Sequence, residues 1–130
     1  MNIVLDTNVL VSAAWSPGRN AAEILNAVFR RQFTACYDGR ILEEYDRVLH
    51  YPKLKFKEWE IAAVLEPLIK NGLSVAAPPL PEVSFERDES DRKFYEVARF
   101  CGAVLVTGNL AHFPDEPDIL SPAEFCRIYL

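Results

Sequence analysis

The feature that most constrains the fold is a five-residue run near the C-terminus, Ala103-Val104-Leu105-Val106-Thr107. It is short and continuously apolar up to Thr107, the pattern of a strand covered on both faces. A strand of that kind needs helices on either side of its sheet, and the chain supplies them in alternation with further strands. Asn2-Ile3-Val4-Leu5 is a β-rich run ending in polar Asp6-Thr7-Asn8. From Ala21, the residues Ile24, Leu25, Val28 and Phe29 recur at helical spacing. Residues 33–37 read as a second strand. Asp38 and Gly39 open a helix with Ile41, Leu42, Tyr45, Val48 and Leu49 inward, and Tyr51-Pro52 stops it.

The pattern then predicts a helix over residues 57–71, kinked or split by Pro67 and capped by Gly72. Residues 73–76 are a candidate third strand, and Pro78, Pro79 and Pro81 make a stiff connector. A helix after Ser90 buries Phe94, Val97, Ala98 and Cys101, and Gly102 ends it. Residues 118–120 read as an edge strand before a short helix from Pro122. Strands alternating with helices of this length predict an α/β domain with a mainly parallel sheet. At 130 residues, one domain spanning 1–130 is expected.

Composition narrows the class. Half of the residues are hydrophobic and a quarter are charged, which is globular rather than disordered usage. Three widely spaced cysteines, Cys36, Cys101 and Cys126, fit neither a disulfide framework nor a zinc cluster, and read as reduced thiols. With no signal-peptide pattern and no apolar run long enough to span a membrane, a cytoplasmic location is expected. The 19 acids outnumber the 14 Lys and Arg residues, for a formal net charge of −5, which argues against a generally basic nucleic-acid coat.

Parallel sheets bind ligands beyond the carboxyl ends of their strands, where strand order reverses. The first strand delivers Asp6 to that edge, with Thr7 and Asn8 beside it. The apolar run delivers Thr107, Gly108 and Asn109. Two more acids come from helices, Glu43 or Glu44 and Asp88 or Asp91. Hard oxygen donors from several elements, without Cys or clustered His, suit Mg²⁺ or Mn²⁺. Each acid also has a structural reading: Asp6 as a turn or cap residue, Asp88 with Asp91 as a variant capping box, and Glu43 and Glu44 on a solvated helix face.

Four segments in order resemble the PIN-domain nucleases, particularly the short bacterial and archaeal VapC-like toxin components of type II toxin–antitoxin systems. They are Val4-Leu5-Asp6-Thr7-Asn8-Val9-Leu10-Val11; Leu42-Glu43-Glu44-Tyr45-Asp46-Arg47-Val48-Leu49 with Tyr51-Pro52-Lys53; Asp88-Glu89-Ser90-Asp91-Arg92-Lys93-Phe94; and Val104-Leu105-Val106-Thr107-Gly108-Asn109 with His112-Phe113-Pro114. The resemblance implies a three-layer α/β/α sandwich with a mainly parallel central sheet. It also implies that Asp6, Glu44 and Asp91 are catalytic, metal-binding carboxylates, supported by Asn8 and Thr107. Glu44 is preferred to Glu43 because the family's acid directly precedes the position filled by Tyr45. Asp91 is preferred to Asp88 because that acid stands three residues before a helix hydrophobe, here Phe94.

Many members carry a fourth acid where this chain has Asn109, which leaves metal stoichiometry open. Asn109 and, from the next loop, Asp115 are the further candidate ligands. The implied reaction is metal-assisted attack of water on an RNA phosphodiester, with 5′-phosphate and 3′-hydroxyl products. Arg47, Lys53, Arg92 and His112 are candidate substrate contacts, within a wider basic set of Arg19, Arg40, Lys55, Lys57 and Lys93. His50 reads as structural. Trp15, Phe56 and Trp59 would anchor a partner if exposed, and the resemblance implies a homodimer and a small antitoxin. Two other readings stand beside this one. A weakly active or inactive PIN-like module could bind RNA or protein, as Asn109 suggests. A haloacid-dehalogenase-type domain would want an Asp where Asn8 stands.

Overall fold

The computed structural model describes all 130 residues. Five parallel strands form the central sheet: β1 (Asn2–Leu5), β2 (Thr34–Tyr37), β3 (Leu73–Ser74), β4 (Val104–Val106) and β5 (Ile119–Leu120), in the order β3-β2-β1-β4-β5. Six helices complete the fold: α1 (Thr7–Trp15), α2 (Asn20–Phe29), α3 (Gly39–Leu49), α4 (Glu58–Asn71), α5 (Arg92–Cys101) and α6 (Pro122–Tyr129). They cover the sheet as a three-layer α/β/α sandwich. In it α2 packs against α1 and α6, and α5 lies against β1 and β2.

The centre of the sheet is the most completely buried part. Ile3, Val4, Leu5, Leu105 and Val106 are essentially inaccessible, packed with Leu10, Ile24, Ile41 and Phe94 from the helices. Each such side chain, fully buried, contributes roughly 1.5–3 kcal/mol relative to exposure. The helix ends carry local stop and start signals. Asp38 accepts a hydrogen bond from the Ile41 amide at the start of α3, and Ser121 with Glu124 forms a capping box on α6. Gly102 ends α5 in the left-handed region, φ +59°, as a C-terminal glycine should.

Several elements differ from the sequence reading. α1 was not anticipated: Thr7 and Asn8, read as the polar end of the first strand, are its first residues. α4 runs through Pro67 without splitting. Gly72 follows α4 in extended backbone, and its role is one of space. A Cβ there would stand 2.6 Å from the Ala35 and Leu68 carbonyl oxygens and 2.7 Å from the Tyr37 ring. β3 is only two residues long and exposed. In α3, Ile41, Tyr45 and Leu49 are buried, while Leu42 and Val48 are half-buried at the edge of the stripe. Cys36 is buried and Cys101 and Cys126 half-buried, all as free thiols, and burial pushes the Cys36 thiol up to about 12. No helix is long and apolar enough to cross a membrane.

Candidate active site

Strand order reverses between β1 and β4: β2 and β3 lie on one side of β1, and β4 and β5 on the other. Ligands of open α/β sheets bind at such a crevice, beyond the strand ends. Asp6 follows β1 there and Thr107 follows β4. Asp6 stands at the N-cap position of α1, yet its side chain caps no helix amide. Instead its Oδ2 accepts a hydrogen bond from the Thr107 hydroxyl at 2.7 Å. Asp6 is only 5% exposed. Burial pushes its pKa up to about 6, the Thr107 hydroxyl and Thr7 amide oppose that rise, and the charges of Asp91 and Glu44 add to it.

Glu44 comes from the second turn of α3. Its Oε2 accepts from the Thr7 hydroxyl, and its Oε1 lies 2.7 Å from the Lys93 ammonium, with both side chains largely covered. Its neighbour Glu43 points outward and pairs with Arg47 at 3.0 Å. The helix period therefore separates the two acids that the sequence left adjacent. Asp91 stands where a 3-10 turn (Glu89–Asp91) passes into α5. Its Oδ2 lies 3.0 Å from His112 Nδ1. Burial raises its pKa, the His112 contact counters this, and the charges of Asp88 and Glu44 raise it further. The capping box read at Asp88 and Asp91 is not formed. Asp88 closes the 3-10 turn by accepting from the Ser90 amide and hydroxyl, which lowers its pKa, and the Asp91 side chain makes no cap.

The supporting polar residues lace the two strand ends together. Asn8 Oδ1 accepts from the Gly108 amide at 3.2 Å, and Thr107 Oγ1 accepts from the Asn109 amide at 2.9 Å. Asn109 is exposed and tied in through its backbone. Asp115 is not brought to the acids; it is exposed in a depression lined by Leu110, Phe113, Glu116 and Glu124.

Of the basic candidates, His112 and Lys93 lie at the acid cluster. Arg47 is on the α3 surface between Glu43 and the Tyr51 hydroxyl. Arg92 holds Glu89 and the Leu80 carbonyl and lies over the Phe85 ring. Arg40 is committed to Asp38 and buried Glu96. Lys53 is exposed without an ion pair, and His50 bridges Asp46 and Glu58 on the surface. Two residues whose roles the sequence reading missed are Thr7, which holds Glu44, and Lys93, treated only as a candidate phosphate contact. Their neighbours in sequence are Asp6 and Arg92, so nothing local names Glu44 as the partner of either.

Three carboxylates with amide and hydroxyl oxygens form a hard donor set suited to Mg²⁺ or Mn²⁺. The mutual repulsion felt at Asp6 is of the kind a cation relieves. The side chains do not close into a ready-made cage: no three His, Cys, Asp or Glu groups are gathered closely enough to hold a metal ion. Lys93 and His112 stand against two of the acids instead.

A family model described as the PIN domain matches residues 2–111, a span that includes Asp6, Glu44, Asp91 and Thr107. The chain belongs to the PIN-domain family. An uncharacterised protein of Methanocaldococcus jannaschii is 30% identical to this PIN domain over 110 residues, covering 84% of this chain and 71% of the relative. Among solved structures, VapBC2 from Rickettsia felis, bound to a DNA fragment from its promoter, superposes with a TM-score of 0.64 at 17% identity. That match covers 93% of this chain and 97% of the other. PAE2754 from Pyrobaculum aerophilum gives 0.64 at 18% identity over 98% of this chain and 88% of its own. At these identities the structural matches establish the fold.

Proposed function

We propose that this PIN domain is a Mg²⁺- or Mn²⁺-dependent endoribonuclease and the toxin of a toxin–antitoxin pair. The observation that carries the reading is the environment of Asp6: a buried carboxyl at the strand-order switch, within the electrostatic reach of Asp91 and Glu44. PIN domains are generally nucleases, and the likeness to VapBC2 supports an antitoxin partner.

Asp6, Glu44 and Asp91 are the residues that would hold the cation. What a divalent ion supplies there is acidification of water and neutralisation of phosphate charge. Thr107 fixes the rotamer of Asp6, Thr7 that of Glu44, and Asn8 the approach of the β4 loop. His112 is held through Nδ1 against Asp91, which leaves its other ring nitrogen to meet a phosphate. Lys53, exposed and without an ion pair, is a candidate contact with the RNA backbone. Exposed Trp15 and Trp59, with Phe56 edge-on to Trp15, offer aromatic anchors for a protein partner or a second copy in a homodimer. On this reading its site of action is the cytoplasm.

The test is incubation of purified protein with single-stranded and structured RNA in Mn²⁺, in chelator, and as Asp6→Asn. Cleavage that requires Mn²⁺ and is lost in Asp6→Asn is the expected result. Cleavage that survives Asp6→Asn would remove Asp6 from the mechanism. A folded protein that binds RNA in Mn²⁺ without cutting it would favour the second reading, a binding module. That reading is favoured by Asn109 in place of an acid and by Lys93 engaged on Glu44.

A further inference from the structure

We propose that the cavity between the connector before α5 and the loop after β4 receives an unpaired nucleotide of the RNA, with the Arg87 guanidinium on its phosphate. The inference rests on the nuclease reading above and names where that site holds its substrate. The cavity measures about 380 Å³, within the usual range of ligand sites. Ser84, Glu86 and Arg87 line it from the connector, and His112, Phe113 and Pro114 from the loop. His112 belongs to the cavity and to the acid cluster at once, since its Nδ1 lies 3.0 Å from Asp91 Oδ2. A nucleotide seated there is one side chain away from that carboxylate.

Arg87 is exposed and has no ion pair. The acids that follow it are engaged elsewhere: Asp88 accepts from the Ser90 amide and hydroxyl, and Glu89 pairs with Arg92. On α3 and α5 the arginines are committed too, Arg40 to Asp38 and Glu96, Arg47 to Glu43, and Arg99 to Glu116. Arg87 therefore keeps its donors free, in the fork that fits a phosphate through two parallel hydrogen bonds. The apolar side of the cavity comes from half-buried Val83 and Pro114 and from Phe113, which is buried edge-on to Phe85 at 5.9 Å. A base reaches such a surface only once it has left a duplex. Glu86, also without an ion pair, can only accept hydrogen bonds when ionised, and so suits the N–H edge of a base. A larger cavity of about 680 Å³ lies on the other side of the same loop. It is lined by Asp115, Glu116 and Glu124 with no Lys or Arg, so it repels phosphate.

Fluorescence anisotropy with a short fluorescein-labelled single-stranded RNA, in chelator, reads binding by the full chain without cleavage. Arg87→Gln should weaken binding about tenfold. It should also reduce the slope of log affinity against log salt by about 0.7. Arg87→Lys, which keeps the charge, should keep the wild-type slope. Arg30→Gln removes the same charge at the opposite edge of the sheet, after α2, and should bind like wild type. The same RNA annealed as a duplex should bind more weakly than the single strand. Unchanged binding by folded Arg87→Gln, equal losses in Arg87→Gln and Arg30→Gln, or a duplex bound as tightly as the single strand overturns the inference. In each of those cases, Mn²⁺-dependent cleavage by the wild type leaves the nuclease reading standing. Binding that depends on Arg87, without cleavage in Mn²⁺, keeps the nucleotide site and overturns the nuclease reading alone. A wild type that neither binds nor cuts RNA overturns both.

Discussion

Asp6 occupies a helix N-cap and leaves the helix uncapped, because its carboxylate is turned to Thr107 instead. The arrangement has a thermodynamic cost that can be read against pH. With a folded pKa near 6, against an ordinary value of 3.8, the folded chain holds the Asp6 proton over a range where the unfolded chain has lost it. The Asp6 contribution to stability is therefore greatest below the lower value, falls as pH rises between the two, and levels off above the upper one. A rise of this size in a buried carboxyl corresponds to roughly 3 kcal/mol. Asp6→Asn keeps an acceptor for the Thr107 hydroxyl and removes the charge. Thermal melts without metal should show it more stable than wild type at pH 7.5 and nearly equal at pH 3.5. Equal melting points at pH 7.5 would mean that ionised Asp6 is not under strain. Of the candidate acids, Asp6 was placed by a strand end, whereas Glu44 was preferred to Glu43 and Asp91 to Asp88 through the resemblance to PIN-domain nucleases. Thr7 and Lys93 were not legible, because each acts on a residue 37 or 49 positions away whose approach only the packed fold decides.

Among the elements, the connector between β3 and α5 bears most directly on the site, since its last turn presents Asp91. It has little regular structure and is held by side chains instead. Glu96, buried in α5, accepts from the Leu80 amide at 2.7 Å and pairs with Arg40 at 2.7 Å, and Arg92 donates to the Leu80 carbonyl at 2.6 Å. Arg92 therefore serves the connector, whereas the sequence reading had offered it as a substrate contact. Glu96→Ala leaves Arg40 and the Leu80 amide without their partner and should cost about 3 kcal/mol in urea denaturation. A loss under 1 kcal/mol would show that the clamp is dispensable. Gly72→Ala sets a Cβ against two backbone carbonyls that cannot swing aside, and should cost about 2 kcal/mol by the same measurement. The amphipathic helices were readable from their stripes. α1 was hidden because Val9, Leu10, Val11, Ala13 and Ala14 leave it apolar around most of its circumference. β3 was read too long because an exposed two-residue edge strand leaves almost no pattern.

For the molecule as a whole, a net charge of −5 hides how the charges are distributed. The acids are not spread as a uniform coat: Asp6, Glu44 and Asp91 gather at the sheet edge, while Lys53, Lys55 and Lys57 stand exposed on one loop. If a cation binds only the folded state, Mn²⁺ at a hundred times its dissociation constant should stabilise the protein by about 2.7 kcal/mol. Melting points should rise with Mn²⁺ and return to the metal-free value in chelator. An unchanged melting point across a Mn²⁺ titration would speak against a cation site of useful affinity.

The bond between Asp6 and Thr107 joins residues 101 positions apart, and β1 needs β4 along its whole length. On the ribosome, Asp6 therefore waits for a strand that is synthesised 101 positions after it. Until β4 emerges, β1 has an open edge and Asp6 lacks its hydroxyl partner, and until residue 91 is made it also lacks Asp91. A chain cut short before residue 107 therefore lacks the hydroxyl that holds Asp6 and the neighbour strand that closes this edge of β1.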